Sequence, residues 1–139
     1  MNTAAFSLAN KAAVILGGGI LNLGSTVVQT AIAHRFPDAT SKGAMLAITP
    51  SRRDFPSHGI RCNAILPGSI HTPFVEGFIA KNFPAQEAEM FKKLSKTQTI
   101  GRMGQRGKIA TAALCVCSDE ASFIPGSAHP VDGGTLTVR

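Results

Sequence analysis

Side chains able to do chemistry are few in this chain, and most are badly spaced for it. Ser25 follows an apolar run, but a serine nucleophile needs a base, an orienting acid and oxyanion donors. Neither His34 nor His58 comes with an acid or donors that can be placed around it. The four histidines, His34, His58, His71 and His129, show no His-x-x-x-His pair and no carboxylate at ligand spacing, so no metal site is expected. Cys62, Cys115 and Cys117 make no disulfide framework and read as small apolar fillers, which favours a reducing, cytoplasmic compartment. Gly17-Gly18-Gly19 after an apolar stretch suggests a phosphate-cradling turn. The glycine needed at the sixth position is Asn22, however, and only Asp38 is available as a ribose-binding acid.

Composition narrows the class. With 139 residues, 44% apolar and 16% charged, the chain has enough for one core and one domain over 1–139, and it is not a disordered segment. No apolar run is long enough to span a membrane, and Lys11 interrupts an N-terminus without a basic start, so no secretory signal is expected. The net charge of +6 is concentrated in Lys92, Lys93, Lys96, Arg102, Arg106 and Lys108. With only Phe91 at the edge of that stripe, it reads as a solvated helix face rather than a nucleic-acid surface.

The elements that must position these residues follow from periodicity. Residues 2–16 carry Phe6, Ala9, Ala13 and Leu16 at helical spacing and predict a helix stopped by the glycine run. Residues 20–23 predict a short strand, and 29–36 a loop or a short helical turn broken at Pro37. A helix is expected over 41–48, ended by Pro50. His58-Gly59 turns the chain into a strand over 60–66, ended by Pro67-Gly68. A helical region over 73–98 is interrupted at Phe83-Pro84, and a helix over 108–117 presents Ile109, Ala112, Ala113 and Val116 on one side. A last short strand covers 128–131. This alternation implies an α/β fold with a parallel sheet.

Several of these segments together resemble one family. They are Ile20-Leu21-Asn22-Leu23-Gly24-Ser25, Ser41-Lys42-Gly43-Ala44, the run from Gly59-Ile60-Arg61-Cys62-Asn63 to Pro67-Gly68, and His71-Thr72-Pro73. Ile100-Gly101-Arg102-Met103-Gly104, Ser118-Asp119-Glu120-Ala121-Ser122-Phe123-Ile124 and Val131-Asp132-Gly133-Gly134 follow in order. Their order and spacing are similar to the second half of a short-chain dehydrogenase/reductase subunit. The resemblance implies a partial Rossmann-like, doubly wound parallel sheet of about three strands with about five flanking helices. It also implies an NAD- or NADP-dependent oxidoreductase of the alcohol dehydrogenase or ketoreductase type, acting on a small alcohol or ketone. The Gly-rich nucleotide-binding half of such a subunit has no counterpart, so weak cofactor binding is expected.

Carried over by motif, Ser25 corresponds to the serine that orients the substrate carbonyl. Lys42 corresponds to the lysine that holds the nicotinamide ribose, and Asn2 to the asparagine of the water relay. Pro67, Gly68, Ile70 and Thr72 match the segment that holds the carboxamide end of the nicotinamide. The proton-transferring tyrosine should stand four residues before Lys42, and Asp38 is there instead; the chain has no tyrosine at all. A carboxylic acid with a reference pKa of ~3.9, against ~10 for a phenol, is ionised at neutral pH, and Lys42 one turn on is expected to hold it so. Its oxygens also end about 4 Å short of a phenol oxygen, more than a working hydrogen bond spans. Hydride-transfer chemistry is therefore expected to be lost or severely impaired.

The resemblance offers a second role. Subunits of the family associate through helices matching 2–16 and 41–54, so homo-oligomerisation or pairing with a full-length relative is one alternative to catalysis, and a truncated gene product without an independent role is another. On this reading the strand over 20–23, missing its inner neighbour, is left as an open edge. The basic, glycine-containing start at Gly104-Gln105-Arg106-Gly107-Lys108 opposes the dipole of the helix it opens.

Overall fold

The structure is a computed structural model and describes residues 13–16, 18–30, 32–49 and 55–138. Strands β1 (Ala13–Leu16), β2 (Gly19–Leu23), β3 (Arg61–Pro67) and β6 (Ala128–Val131) form one sheet in the order β1-β2-β3-β6. Strands β2, β3 and β6 are parallel, and β1 is antiparallel to β2. A two-stranded parallel ladder joins β4 (Ile70–His71) to β5 (Gly104–Gln105). The helices are α1 (Phe36–Ile48), α2 (Pro73–Asn82), α3 (Glu87–Lys96) and α4 (Arg106–Cys117).

Alternation along the strands sends side chains to two faces, and a helix covers each. On one face Leu21 and Ile65 pack with Val116 of α4, joined by Leu23, Ile109, Ala113, Cys117 and Val131. On the other, the Asn22 amide donates to the Thr49 hydroxyl just past α1 (3.1 Å) and to the Cys62 sulfur (3.6 Å). The parallel part is thus wound on both sides, the expected α/β class. Arg61 ties β3 to the end of α4: its guanidinium donates to the carbonyls of Val116 (2.7 Å), Cys117 (3.2 Å) and Ser118 (2.8 Å). A cation on the last carbonyls suits both the helix dipole and the unpaired acceptors there.

Four expectations change. Residues 13–16 form a strand, not the end of a helix, while 1–12 lie outside the described residues. Val14 and Ile15 suit a pleated ladder, and the edge of β2 offers them unpaired backbone groups. A Cβ on Gly18 would collide with the Gly59 carbonyl oxygen, so only glycine lets the β1–β2 turn lie this close. The edge of β2 expected to be open is therefore covered by β1.

Helix α1 starts at Phe36, earlier than expected. Pro37 falls in its first turn, where no intrahelical donor is needed, and Asp38 there favours the dipole. It ends at Ile48 with Thr49 as its cap, just before Pro50, which lies outside the described residues. Cys115 is exposed rather than a filler, whereas Cys62 is buried and Cys117 partly so. Four α-helices occur among the described residues.

At the far edge of the sheet, the Ala64 N–H donates to the Ser127 carbonyl (2.8 Å), which fixes the side of β6 facing β3. Pro130 then points its donor-less nitrogen outward, a residue suited only to such an edge.

Candidate functional site

In a parallel sheet wound on both faces, side chains converge just beyond the carboxyl ends of the strands, where helices and loops leave room. Two neighbouring strands deliver the candidate residues there. Leu23 of β2 stands opposite Ile65 of β3, so Ser25 and Pro67, each two residues on, leave the sheet side by side. The Gly24 N–H donates to the Ile65 carbonyl (2.9 Å) and the Gly68 N–H to the Val131 carbonyl (3.2 Å), extending the ladder to the rim.

Ser25 is half-buried and extended, and caps a single 3-10 turn (Thr26–Val28), its hydroxyl oxygen accepting from the Val27 N–H at 3.3 Å. Its own proton is not used in that contact. Lys42, on the sheet-facing side of α1, donates from Nζ to the Leu23 carbonyl at 3.1 Å. That bond places the ammonium beside the rim two residues from Ser25. Asp38 lies one turn earlier on α1 but does not pair with Lys42. Among the described residues its carboxylate has Arg35 as ion-pair partner, at 3.9 Å and largely exposed. Lys42 thus rests on a main-chain carbonyl and Asp38 on Arg35. Asn2 lies outside the described residues.

The segment after β3 is held from several directions. The Ser69 N–H donates to the Gln98 side-chain oxygen (3.3 Å), the Ser69 carbonyl accepts from Gly104 N–H (2.9 Å), and the Ser69 and Thr97 hydroxyls lie 3.3 Å apart. Ile70 pairs with Gly104, whose missing Cβ makes room for the Ile70 side chain. With Gly104 bonded to Ser69 in this register, the N–H and C=O of Ile70 face away from β5. No hydrogen bond within the described residues takes them up. Thr72 is extended and caps α2, its hydroxyl oxygen accepting from Val75 N–H (3.2 Å) and its carbonyl from Glu76 N–H (3.0 Å). The Thr72 proton remains available to an acceptor outside the protein.

The rim thus offers an amide-shaped pair of backbone groups at Ile70, a hydroxyl donor at Thr72, a second at Ser25 and an ammonium at Lys42. This set suits a planar carboxamide and a sugar hydroxyl. Gln98 is a residue that spacing did not reveal: buried at 4% exposure, it accepts from Ser69 N–H and from the Thr135 hydroxyl (3.1 Å). Its only sequence signal is a position just before the Ile100-Gly101-Arg102-Met103-Gly104 motif. Among the described residues no three His, Cys, Asp or Glu side chains gather at ligand distance. No described helix is long and apolar enough to cross a membrane.

A two-sided parallel sheet with its polar groups gathered at the carboxyl rim is a Rossmann-type architecture, in which ligands bind beyond the carboxyl ends of the strands. Comparison with known proteins makes the assignment specific: residues 2–136 match a family model described as enoyl-(acyl carrier protein) reductase, and the chain belongs to the short-chain dehydrogenase/reductase family. Among curated relatives, a 2-keto-3-deoxy-L-fuconate dehydrogenase of Xanthomonas campestris is 33% identical over 119 residues, covering 84% of this chain and 39% of the relative. The dehydrogenase/reductase SDR family member 6 of Aquarana catesbeiana is 37% identical over 120 residues, covering 84% and 48%. Among solved structures, a short-chain dehydrogenase family protein of Francisella tularensis superposes with a TM-score of 0.76 at 29% identity, covering 84% of this chain and 50% of that one. A levodione reductase superposes with a TM-score of 0.78 at 28% identity, covering 86% and 46%. The chain spans half or less of the length of these relatives.

Proposed function

We propose that this chain carries the substrate- and nicotinamide-facing half of an NAD- or NADP-dependent oxidoreductase for a small alcohol or ketone, with its proton-transfer step disabled. In this reading Ile70 N–H and C=O and the Thr72 hydroxyl hold the carboxamide, with Pro67 and Gly68 setting the turn that presents them. Lys42 holds the ribose, Ser25 orients the substrate oxygen, and Asn2 belongs to the proton relay. The bound nicotinamide would supply the hydride. The observation that carries the reading is the uncommitted backbone pair of Ile70 beside the Thr72 hydroxyl, on the same rim as Ser25 and Lys42.

Impairment rests on Asp38. A general acid must reach the reacting oxygen, and a carboxylate about 4 Å shorter than a phenol, with Arg35 as its ion-pair partner, does not. Purified chain is expected to oxidise neither NADH nor NADPH above background with a panel of ketones. Asp38→Tyr restores the donor type, and general acid catalysis contributes about 10²–10⁴-fold, so turnover is expected to emerge in that variant. Wild-type turnover equal to that of Asp38→Tyr would sink the assignment of position 38.

A second reading, a non-catalytic subunit, draws on the outer side of α1. Phe36, Thr40, Ala44 and Ala47 recur there at helical spacing, are all exposed, and include no charge; Phe36 is 81% exposed. Such a stripe suits a helix of a second copy or of a full-length relative. Sedimentation of the chain alone and mixed with a full-length relative distinguishes the two partners, and monomers throughout would count against both.

A further inference from the structure

His71 does not belong to the set of groups assigned above, yet it sits between two of them. Its neighbours Ile70 and Thr72 present the amide and hydroxyl groups of the rim, and alternation along β4 turns its side chain to the opposite side from Ile70. There Nε2–H donates to Glu76 Oε1 at 2.8 Å, reaching the first turn of α2. The imidazole also meets the ring of Phe91 on α3 edge to face, with centroids 5.3 Å apart and planes at 77°. One side chain therefore joins β4, α2 and α3.

We infer that His71 is a positioning residue, a clasp that fixes Ile70–Thr72 against α2 and α3 so that the backbone pair of Ile70 and the hydroxyl of Thr72 keep one mutual geometry. This deepens, and rests on, the nicotinamide reading of that segment. The physical case is one of otherwise weak attachment. β4 has two residues and one neighbouring strand, and its partner β5 is equally short. Ser69 is fixed from the side of Gln98, Thr97 and Gly104, but after Ile70 the hold passes to the Thr72 cap and to His71. Without the clasp, the first turn of α2 retains its cap but loses its link to α3 through Phe91. The angle between Ile70 and Thr72 is then free to vary. A ligand that must contact both groups at once is sensitive to such looseness, because its hydrogen bonds require joint alignment.

The test combines amide hydrogen exchange with titration of NADH by fluorescence, on the full chain. His71→Ala is expected to speed exchange at Val75 and Glu76 and to weaken NADH binding, each by about fivefold, as suits a partly exposed ion pair and ring contact. Glu76→Ala should act similarly, and the double variant should add little to either single one. His71→Gln keeps an N–H donor for Glu76 but not the ring against Phe91, and is expected to recover part of the binding lost in His71→Ala, a rescue that loss of packing alone would not give. His71→Ala with unchanged exchange and affinity would overturn the clasp, as would His71→Gln as weak as His71→Ala. Failure of the wild-type chain to bind NADH at all would instead sink the cofactor reading, and exchange in His71→Ala and Glu76→Ala would still decide the clasp.

Discussion

Replacing Gly68 by alanine tests how tightly the rim segment is built. A Cβ there would collide with the Gln98 side-chain oxygen and lie 3.0 and 3.1 Å from the Asp132 Cα and carbonyl oxygen. The Asp132 atoms cannot retreat, because the turn that carries them is fixed by its own carboxylate, which accepts from the N–H groups of Gly134 and Leu136 at 2.9 Å each. Gln98 must move instead, and moving it releases the Ser69 N–H, whereas the Thr135 hydroxyl keeps the Asp132 carbonyl as acceptor at 2.8 Å. Overpacking costs about 1–3 kcal/mol, and the hydrogen bond given up adds roughly 1 kcal/mol, so a loss of about 2–4 kcal/mol is expected. Urea unfolding followed by circular dichroism measures it, a suitable probe for a chain without Trp or Tyr, and an unchanged slope would assign the effect to stability. Gly77→Ala is the matched control: Gly77 lies inside α2 with nothing within 4 Å of its Cβ position, so alanine should stabilise by about 0.5–1 kcal/mol. A Gly68→Ala loss below about 1 kcal/mol would refute the close-contact account of this turn.

Other outcomes follow from the same contacts. Arg61→Ala leaves three carbonyls at the end of α4 without their cation and should cost about 2–4 kcal/mol by urea unfolding; Arg61→Lys should recover less than half, since one ammonium cannot fork across them. Timed alkylation read by mass spectrometry should modify exposed Cys115 first, Cys117 more slowly and buried Cys62 last. Burial raises the Cys117 thiol pKa, with the Arg61 charge opposing part of the effect. Because the folded value lies above the unfolded one, this group's contribution to stability is present below the ordinary thiol range and lost as pH rises through the folded value. Thermal unfolding should show a falling midpoint there that Cys117→Ala flattens.

Much of the architecture was legible because local chemistry and tertiary demand agree. The Arg61–Pro67 strand is announced by Gly59 before it and Gly68 after it, and its apolar alternate residues suit either face of a covered sheet. The break between α2 and α3 is written in Phe83-Pro84, whereas Ile70 and Thr72 are singled out in the sequence only by the resemblance of the segment after Pro67 to its family. At residues 13–16 the helix that Ala and Leu at helical spacing predict holds only when nothing else competes. The edge of β2 competes with four residues' worth of backbone hydrogen bonds. Pro37 misled similarly, since a proline that breaks a helix interior is welcome in its first turn.

The absence of tyrosine and the identity of position 38 are facts of the sequence alone. Which partners the remaining groups choose is a tertiary matter. Helical spacing puts Asp38 and Lys42 on one face, yet Lys42 reaches the Leu23 carbonyl, because a strand end in the third dimension supplies an acceptor that no spacing rule contains. The same holds for Gln98 under Gly68 and for His71 between α2 and α3. Their roles depend on segments far apart in the chain being packed to contact, and a hydrogen bond acts over a few ångströms of space rather than along the sequence.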